Sequence, residues 1–386
     1  MPSKLKIAVV AALPFPTLQG SQVLVRQFCE TLSERGHQVH LVTYGYGRFP
    51  YLPDFEIHRI HDFSWYHRFS SGPSLMKPIL DLLLALRLCR VCRLHGMQVI
   101  AAHNYEAAVV GVLVGKMLRI PVVYHSHGLL SQELCTYFKA PFARMLAEGV
   151  GSIFDRFVPS MVKRNVVFTE DEKSALKKLG VASERIEVVP PGISVDGPGA
   201  LKSSEASSAP TAVYAGNLAR YQNLRLVLEA FERVCQRIPD AKLKLVSAGD
   251  FLPLRKETIQ RGIGNNVEFV EACSFREIFA VLSVSHAGLT ARTLKGGFPI
   301  KILNYLSAGL PVVAFESGAK GVKHLHNGYV APDGDVEDFA QGITMLLEDG
   351  ELRARLRENA LAEAENYSWE GIISEVETIY RQIASP

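Results

Sequence analysis

The stretch Lys295-Gly296-Gly297-Phe298-Pro299-Ile300-Lys301-Ile302-Leu303-Asn304-Tyr305-Leu306-Ser307-Ala308-Gly309-Leu310-Pro311-Val312-Val313-Ala314 carries the most specific local pattern in this 386-residue chain. Its paired glycines and Pro299 make a loop. A short helix follows, closed by Gly309 and Pro311, and then a strand. Free backbone N–H groups at the start of that helix, with Lys301 beside them, suit a diphosphate. An ordinary loop–helix–strand connection has the same outline.

Working outward, strands are expected at residues 212–215, 243–247, 267–270, 287–290 and 312–315, with helices between them, such as 224–235. The chain closes with three helical stretches at 336–347, 351–366 and 369–383. Upstream, the pattern runs a first time. Strands are expected at 6–11, 38–43, 56–60, 98–102, 122–125, 165–168 and 186–189, and helices at 22–35, 78–95 and 107–117. Strands alternating with helices imply βαβ units and a parallel sheet, and continuous apolar runs suit strands covered on both faces. A Ser/Ala/Gly/Pro stretch separates the two rounds. The expected organisation is therefore α/β, with two Rossmann-like halves: residues 1–196, a linker at 197–210, a second half at 211–367, and a last helix at 368–386.

Two such halves leave a cleft between the carboxyl ends of their strands, where ligands of open α/β sheets bind. Loops after strands thus become the candidate site. After the first strand come Gly20 and Ser21 at a helix start, an anion-binding geometry; it lacks the G-x-G-x-x-G spacing of a nicotinamide site. His103, with Asn104 and Glu106, and then His127-Gly128 stand at two further strand ends. A lone histidine is more often structural, but the strand-end position favours a functional His127. In the second half, the polar loop Asn217, Arg220, Gln222 enters a helix, again suiting an anion.

Composition excludes several classes. Hydrophobic residues make up 48% and charged residues 21%, a globular balance, and a net charge of +3 gives no concentrated footprint for nucleic acid. The six cysteines are scattered through apolar segments, as in a reduced, cytoplasmic protein. Cys89 and Cys92 form a C-x2-C pair with no second ligand pair, and read as helix neighbours rather than as a metal site. No metal is expected. The apolar run 7–12 is a buried strand rather than a signal sequence, and 79–89, interrupted by Asp81 and Arg87, is too short to span a bilayer.

The order Gly20-Ser21-Gln22, Arg35-Gly36-His37-Gln38-Val39, Pro121-Val122-Val123, Ile186-Glu187-Val188-Val189-Pro190-Pro191-Gly192-Ile193 and Ala308-Gly309-Leu310-Pro311-Val312-Val313 resembles glycosyltransferase family 4. Asn327-Gly328-Tyr329-Val330-Ala331-Pro332 and Tyr367-Ser368-Trp369 fit the same family's C-terminal pattern. The resemblance implies the GT-B fold and a retaining, metal-independent transfer of sugar from a nucleotide-sugar donor (a UDP- or GDP-sugar), with no cofactor. It places the donor in the second half, and a glycan, lipid-linked or small-molecule acceptor in the first. It also implies that the last helix returns to the first half. His127 takes the position of the family's active-site histidine, with His103 and Glu106 as further candidate catalytic residues. Gly20, Ser21, Asn217, Arg220, Gln222, Gly297, Phe298, Lys301 and Asn304 are the candidate donor-binding set.

The chain departs from the family at two places. The E-x7-E glutamates, which contact the donor sugar and the ribose, are here Gly296 and Asn304. The arginine and lysine that clamp the diphosphate are here Asn217 and Gln222, leaving Arg220 or Lys301 to supply charge. The missing acids motivate an alternative, a non-catalytic protein of the same fold that binds a nucleotide sugar or glycan; a sugar-nucleotide epimerase is another. Finally, residues 78–95 align Arg87, Arg90 and Arg93, and 137–164 interleave phenylalanines with lysines and arginines. Peripheral contact with the inner face of a membrane is one reading; a core helix with a solvated basic edge is the other.

Overall fold

The computed structural model describes residues 4–17, 20–47, 53–67, 72, 74–193, 208–271, 274–294 and 296–384. Most of the expected linker, and Lys295, lie outside them.

The first half alternates β1 (Lys6–Ala11), α1 (Gly20–Glu34), β2 (Gln38–Thr43), β3 (Glu56–Arg59), α2 (Lys77–His95), β4 (Val99–His103), α3 (Tyr105–Leu118), β5 (Val122–His125), α4 (Leu130–Leu134), α5 (Pro141–Met161), β6 (Arg164–Val167), α6 (Glu170–Lys178) and β7 (Ile186–Val188). The second half runs β8 (Thr211–Ala215), α7 (Leu224–Arg237), β9 (Lys242–Ser247), α8 (Leu252–Gln260), β10 (Val267–Glu271), α9 (Phe275–Ser283), β11 (Ala287–Thr290), α10 (Ile300–Ser307), β12 (Val312–Phe315), β13 (Gly328–Ala331), α11 (Val336–Glu348), α12 (Gly350–Glu365) and α13 (Trp369–Ala384).

Both sheets are parallel, with orders β3-β2-β1-β4-β5-β6-β7 and β10-β9-β8-β11-β12-β13. Strand order reverses beside β1 and β4 in one sheet and beside β8 and β11 in the other. These are the switch points where open α/β sheets bind ligands. The expected strands are all present. One more, β13, arises from the Asn327–Pro332 region, and the aromatic and basic segment 137–164 supplies α5.

Alternation along β1 explains the layering. Ile7, Val9 and Ala11 face α1 and α13, while Ala8 and Val10 face α2 and α3. Helix α2 begins with Pro78 in its first turn and ends on Gly96 at φ 63°, as Pro and Gly favour. It buries Leu80, Leu84, Leu88, Val91 and Cys92, positions one helical face apart from its arginines.

Helix α13 returns to the first half. Trp369, Ile372, Ile373, Val376 and Tyr380 join the core around α1, each contributing about 1.5–3 kcal/mol of burial. Its Glu377 carboxylate accepts from Arg35 Nε at 2.6 Å and pairs with His37 Nε2 at 2.9 Å. Arg35 above all holds that carboxyl at about 2. The Arg35-Gly36-His37 motif therefore clasps the returning helix.

Candidate functional site

The two switch points face one another. Helix α1 starts at Gly20, and a Cβ there would lie 3.6 Å from Ile300 Cδ1 at the start of α10. Two helix N-termini, each a site of partial positive charge, thus converge from the two halves. Ser21 lies half-buried in the first turn of α1.

His103 ends β4 and is fully buried against Phe28. Its Nδ1 is 3.2 Å from His127 Nε2, and its ring stacks on His125 at 4.5 Å. His125 in turn meets Tyr380 Oη at 2.7 Å. Burial pushes all three imidazoles down: His127 to about 4, His125 to about 3 with help from His127, and His103 well below its ordinary value. At neutral pH His127 is therefore uncharged, a hydrogen-bonding group and not a cation. Glu106 does not join this cluster. It pairs with Lys77 at the start of α2, on the opposite face of the sheet. Asn104 caps α3, its Oδ1 accepting from Ala107 N at 3.1 Å.

The loop after His127 is held by groups that the sequence did not mark. Asp155 on α5 is fully buried and accepts from Leu130 N at 2.9 Å and Ser131 N at 3.0 Å. Tyr105 Oη lies 2.6 Å from both Asp155 Oδ1 and Gly128 O and donates its one proton to one of them. Glu172, capped into α6 by Thr169, accepts from Phe168 N at 2.8 Å and, across the cleft, from Gly297 N at 2.9 Å. Lys320 pairs with Asp171 across the same junction. Gly297 sits at φ 68°, where L side chains are strained, and its Cβ would come within 3.1 Å of His127 O.

On the second half, Lys301 Nζ donates to Tyr214 Oη at 2.8 Å and Gln222 Oε1 at 2.6 Å and lies 4.0 Å from the Tyr214 ring centre. Asn217 Oδ1 accepts from Ala219 N at 3.1 Å and Gln222 Nε2 at 3.4 Å, fixing the loop. Arg292 follows β11, donates to Gly296 O, and has its Nε sealed from solvent without a partner. Burial lowers the pKa of Arg292; burial and then Arg292 itself lower that of Lys301. Neither cation forms an ion pair with a carboxylate among the described residues. Two half-buried cations without an ion-pair partner, beside a helix N-terminus, make a pocket for an anion.

The remaining candidates scatter. Gly297 meets the first half, Asn304 is half-buried on α10, and Arg220 is exposed. Phe298 is buried in the core of the first half beside Tyr367, so its ring serves packing. Gly296 is filled from the other side: a Cβ there would overlap the Gln132 amide of α4. Away from this cleft, His40, His58 and His95 bring ring nitrogens within 4.8 Å of one another, with His40 Nδ1 2.8 Å from His58 Nε2.

Two family models match the chain: Glycosyltransferase Family 4 over residues 18–196 and Glycosyl transferases group 1 over residues 201–363. Over 393 aligned residues the chain is 22% identical to N-acetyl-alpha-D-glucosaminyl L-malate synthase of Bacillus anthracis, covering 98% of this chain and 97% of that one. Sucrose-phosphate synthase from Thermosynechococcus elongatus superposes with a TM-score of 0.83 at 17% identity, over 98% of this chain and 99% of that one. HepE of Anabaena, solved with UDP and glucose, superposes with a TM-score of 0.77 at 16% identity, over 98% and 100%. The chain belongs to the group 1 glycosyltransferases of the family 4 type, and is a glycosyltransferase with the GT-B fold.

Proposed function

We infer that the chain moves a sugar from a UDP- or GDP-sugar to a glycan, lipid-linked or small-molecule acceptor, with retention of anomeric configuration and without a metal or cofactor. The observation that carries the reading is the half-buried cations Arg292 and Lys301, without ion-pair partners, at the switch point of the second sheet. In the transfer, the bond from the anomeric carbon to the terminal phosphate oxygen breaks and a bond to an acceptor oxygen forms. The acceptor proton ends on the departing nucleoside diphosphate. Negative charge therefore grows on the diphosphate, where Lys301, Arg292 and the N-terminus of α10 stabilise it.

Lys301 takes up the work of the family's missing clamp. Its amino group bonds the Gln222 side chain, so the charge absent from position 222 arrives from α10. Exposed Arg220 is the weaker candidate. Neutral His127, tied to His103, offers a hydrogen bond to the sugar rather than a charge. The Gln132 amide stands in for the acid absent at position 296, and Asn304 for the ribose-binding acid. Family membership favours neither the epimerase nor the non-catalytic reading.

Calorimetric titration with UDP, GDP and ADP tests the proposal. One of them binds saturably, and Lys301→Met weakens that binding at least about thirtyfold. The solved HepE complex makes UDP the first choice. Transfer that proceeds in excess chelator supports the metal-free reading; binding of none of the three overturns the donor site.

A further inference from the structure

Helix α5 presents an apolar face that nothing among the described residues covers. Phe142 is 73% exposed and Met145 64%, and Leu146, Ile153, Phe157 and Met161 are exposed with them. Their spacing of three and four residues puts them along one side of the helix. The neighbouring helices extend the face. Leu82 and Leu86 on α2 and Leu113 and Met117 on α3 are all more than half exposed, and α3 packs between α2 and α5. An exposed apolar surface spread over three adjacent helices marks a docking site rather than scattered surface residues.

Charge identifies the partner. Residues 77–95 and 139–164 carry nine lysines and arginines against three acids, although the whole chain is only +3. The remainder of the protein is thus net acidic, and positive charge is concentrated on the helices that bear the apolar face. Arg90, Arg93, Lys139, Arg144, Arg156 and Lys163 are exposed. A protein partner would need matching apolar relief, whereas basic side chains around exposed phenylalanine, leucine and methionine match lipid phosphates above acyl chains. No helix among the described residues is long and apolar enough to cross a membrane, so the contact is with the surface.

We propose that the α2–α3–α5 face docks in the plane of an anionic phospholipid bilayer. The inner side of α5 gives the contact its consequence. Asp155, two residues from Phe157 and so on the opposite, inward side of the helix, holds the backbone of Leu130 and Ser131, and shares Tyr105 with the carbonyl of Gly128. The helix that meets the lipid is therefore the helix that anchors the His127 loop. On the transferase reading above, on which this step alone rests, the acceptor is carried by that bilayer and enters beside His127.

The test is co-sedimentation of the full chain with vesicles of phosphatidylcholine alone and of phosphatidylcholine with phosphatidylglycerol. Binding is expected to need phosphatidylglycerol, to weaken in salt, and to fall at least tenfold in Phe142→Ser/Ile153→Ser/Phe157→Ser. These side chains are exposed, so the variant keeps its melting temperature and its UDP titration; those two readouts report on the donor site independently of docking. No sedimentation with phosphatidylglycerol vesicles overturns the proposal, as does equal sedimentation with neutral ones. A wild-type dimer that the triple variant converts to monomers also overturns it, because a second copy then covers the face.

Discussion

The carboxylate of Glu172 accepts the backbone N–H of Gly297 across the cleft at 2.9 Å, joining the helix start of one half to the glycine loop of the other. The same carboxylate holds Phe168 N at 2.8 Å, and burial raises its pKa. Glu172→Ala leaves two enclosed amides unpaired, at a cost of about 1–3 kcal/mol each. The expected result is a melting temperature lower by several degrees and a higher KM for the donor, because the glycine loop loses its anchor. Glu172→Gln, which keeps one acceptor oxygen, falls between the two. Thermal melts with donor kinetics check it; an unchanged KM would show that the loop is held by other means.

Arg292 and Lys301 give a prediction of opposite sign for stability and binding. Each is largely enclosed without a close ion-pair partner, so removing the Lys301 charge relieves its desolvation and its repulsion with Arg292 in the free protein. Lys301→Met is expected to melt at the wild-type temperature or above, although it loses bonds to Tyr214 and Gln222. Its affinity for the nucleoside diphosphate should drop by at least about thirtyfold, the equivalent of roughly 2 kcal/mol. Because burial and then Arg292 hold its pKa well below the ordinary lysine value in the free protein, and a bound diphosphate favours its charged form, wild-type binding should take up a proton at pH values between its free and bound pKa. Titrations in buffers of different ionisation enthalpy reveal that uptake, and Lys301→Met removes it.

How far the site could be read from the chain depends on what each residue's neighbours are. The strand–helix alternation and the two halves were legible because buried parallel strands must be continuous apolar runs, whereas the return of the last helix was implied only by the family resemblance. His103 and His127 were legible as candidates because both stand where strands end, His103 at the switch point and His127 after the neighbouring strand. Glu106 stands only three residues after His103, yet one turn of α3 carries it to the other face of the sheet, where Lys77 takes it. Phe298 adjoins the glycine loop in sequence but points into a core that the sequence cannot draw. Glu172 and Asp155 look like ordinary solvated helix acids, and only the fold buries them against amides. Arg292 was missed for a similar reason: it follows a strand with no glycine beside it, and its enclosure at the cleft is a tertiary fact.

Gln132 and Gly296 make the family's missing acid testable. The Gln132 amide fills the space that any side chain at 296 would need. Gly296→Glu, which writes the family residue back in, should therefore push the Gln132 amide out of its place and impair transfer severalfold. Gln132→Ala alone should weaken donor-sugar discrimination while leaving nucleotide affinity near wild type. The double variant has both the acid and the room for it, and should recover much of the lost rate. Initial rates with several donor sugars measure all three. Additive losses in the double variant would show that the residues do not share a place.

Acid sensitivity follows from the buried imidazoles. His127 and His125 are pushed down to about 4 and about 3, and His103 also lies well below its ordinary value. Unfolded, each titrates near 6.5, so between that pH and about 4 the unfolded chain binds more protons than the folded one. Stability is complete above 6.5 and is lost as the pH falls through that window, by up to about 1.4 kcal/mol per pH unit for each histidine. Glu377, held at about 2, adds a loss of the same sign below its unfolded value near 4.5. Denaturant melts from pH 7.5 to 4 should therefore show a slope that steepens below 6.5. His125→Phe should flatten it by about one histidine's share, because the ring stays in the stack with His103 while the titrating nitrogens are gone. A slope unchanged by that substitution would place the acid sensitivity elsewhere in the fold.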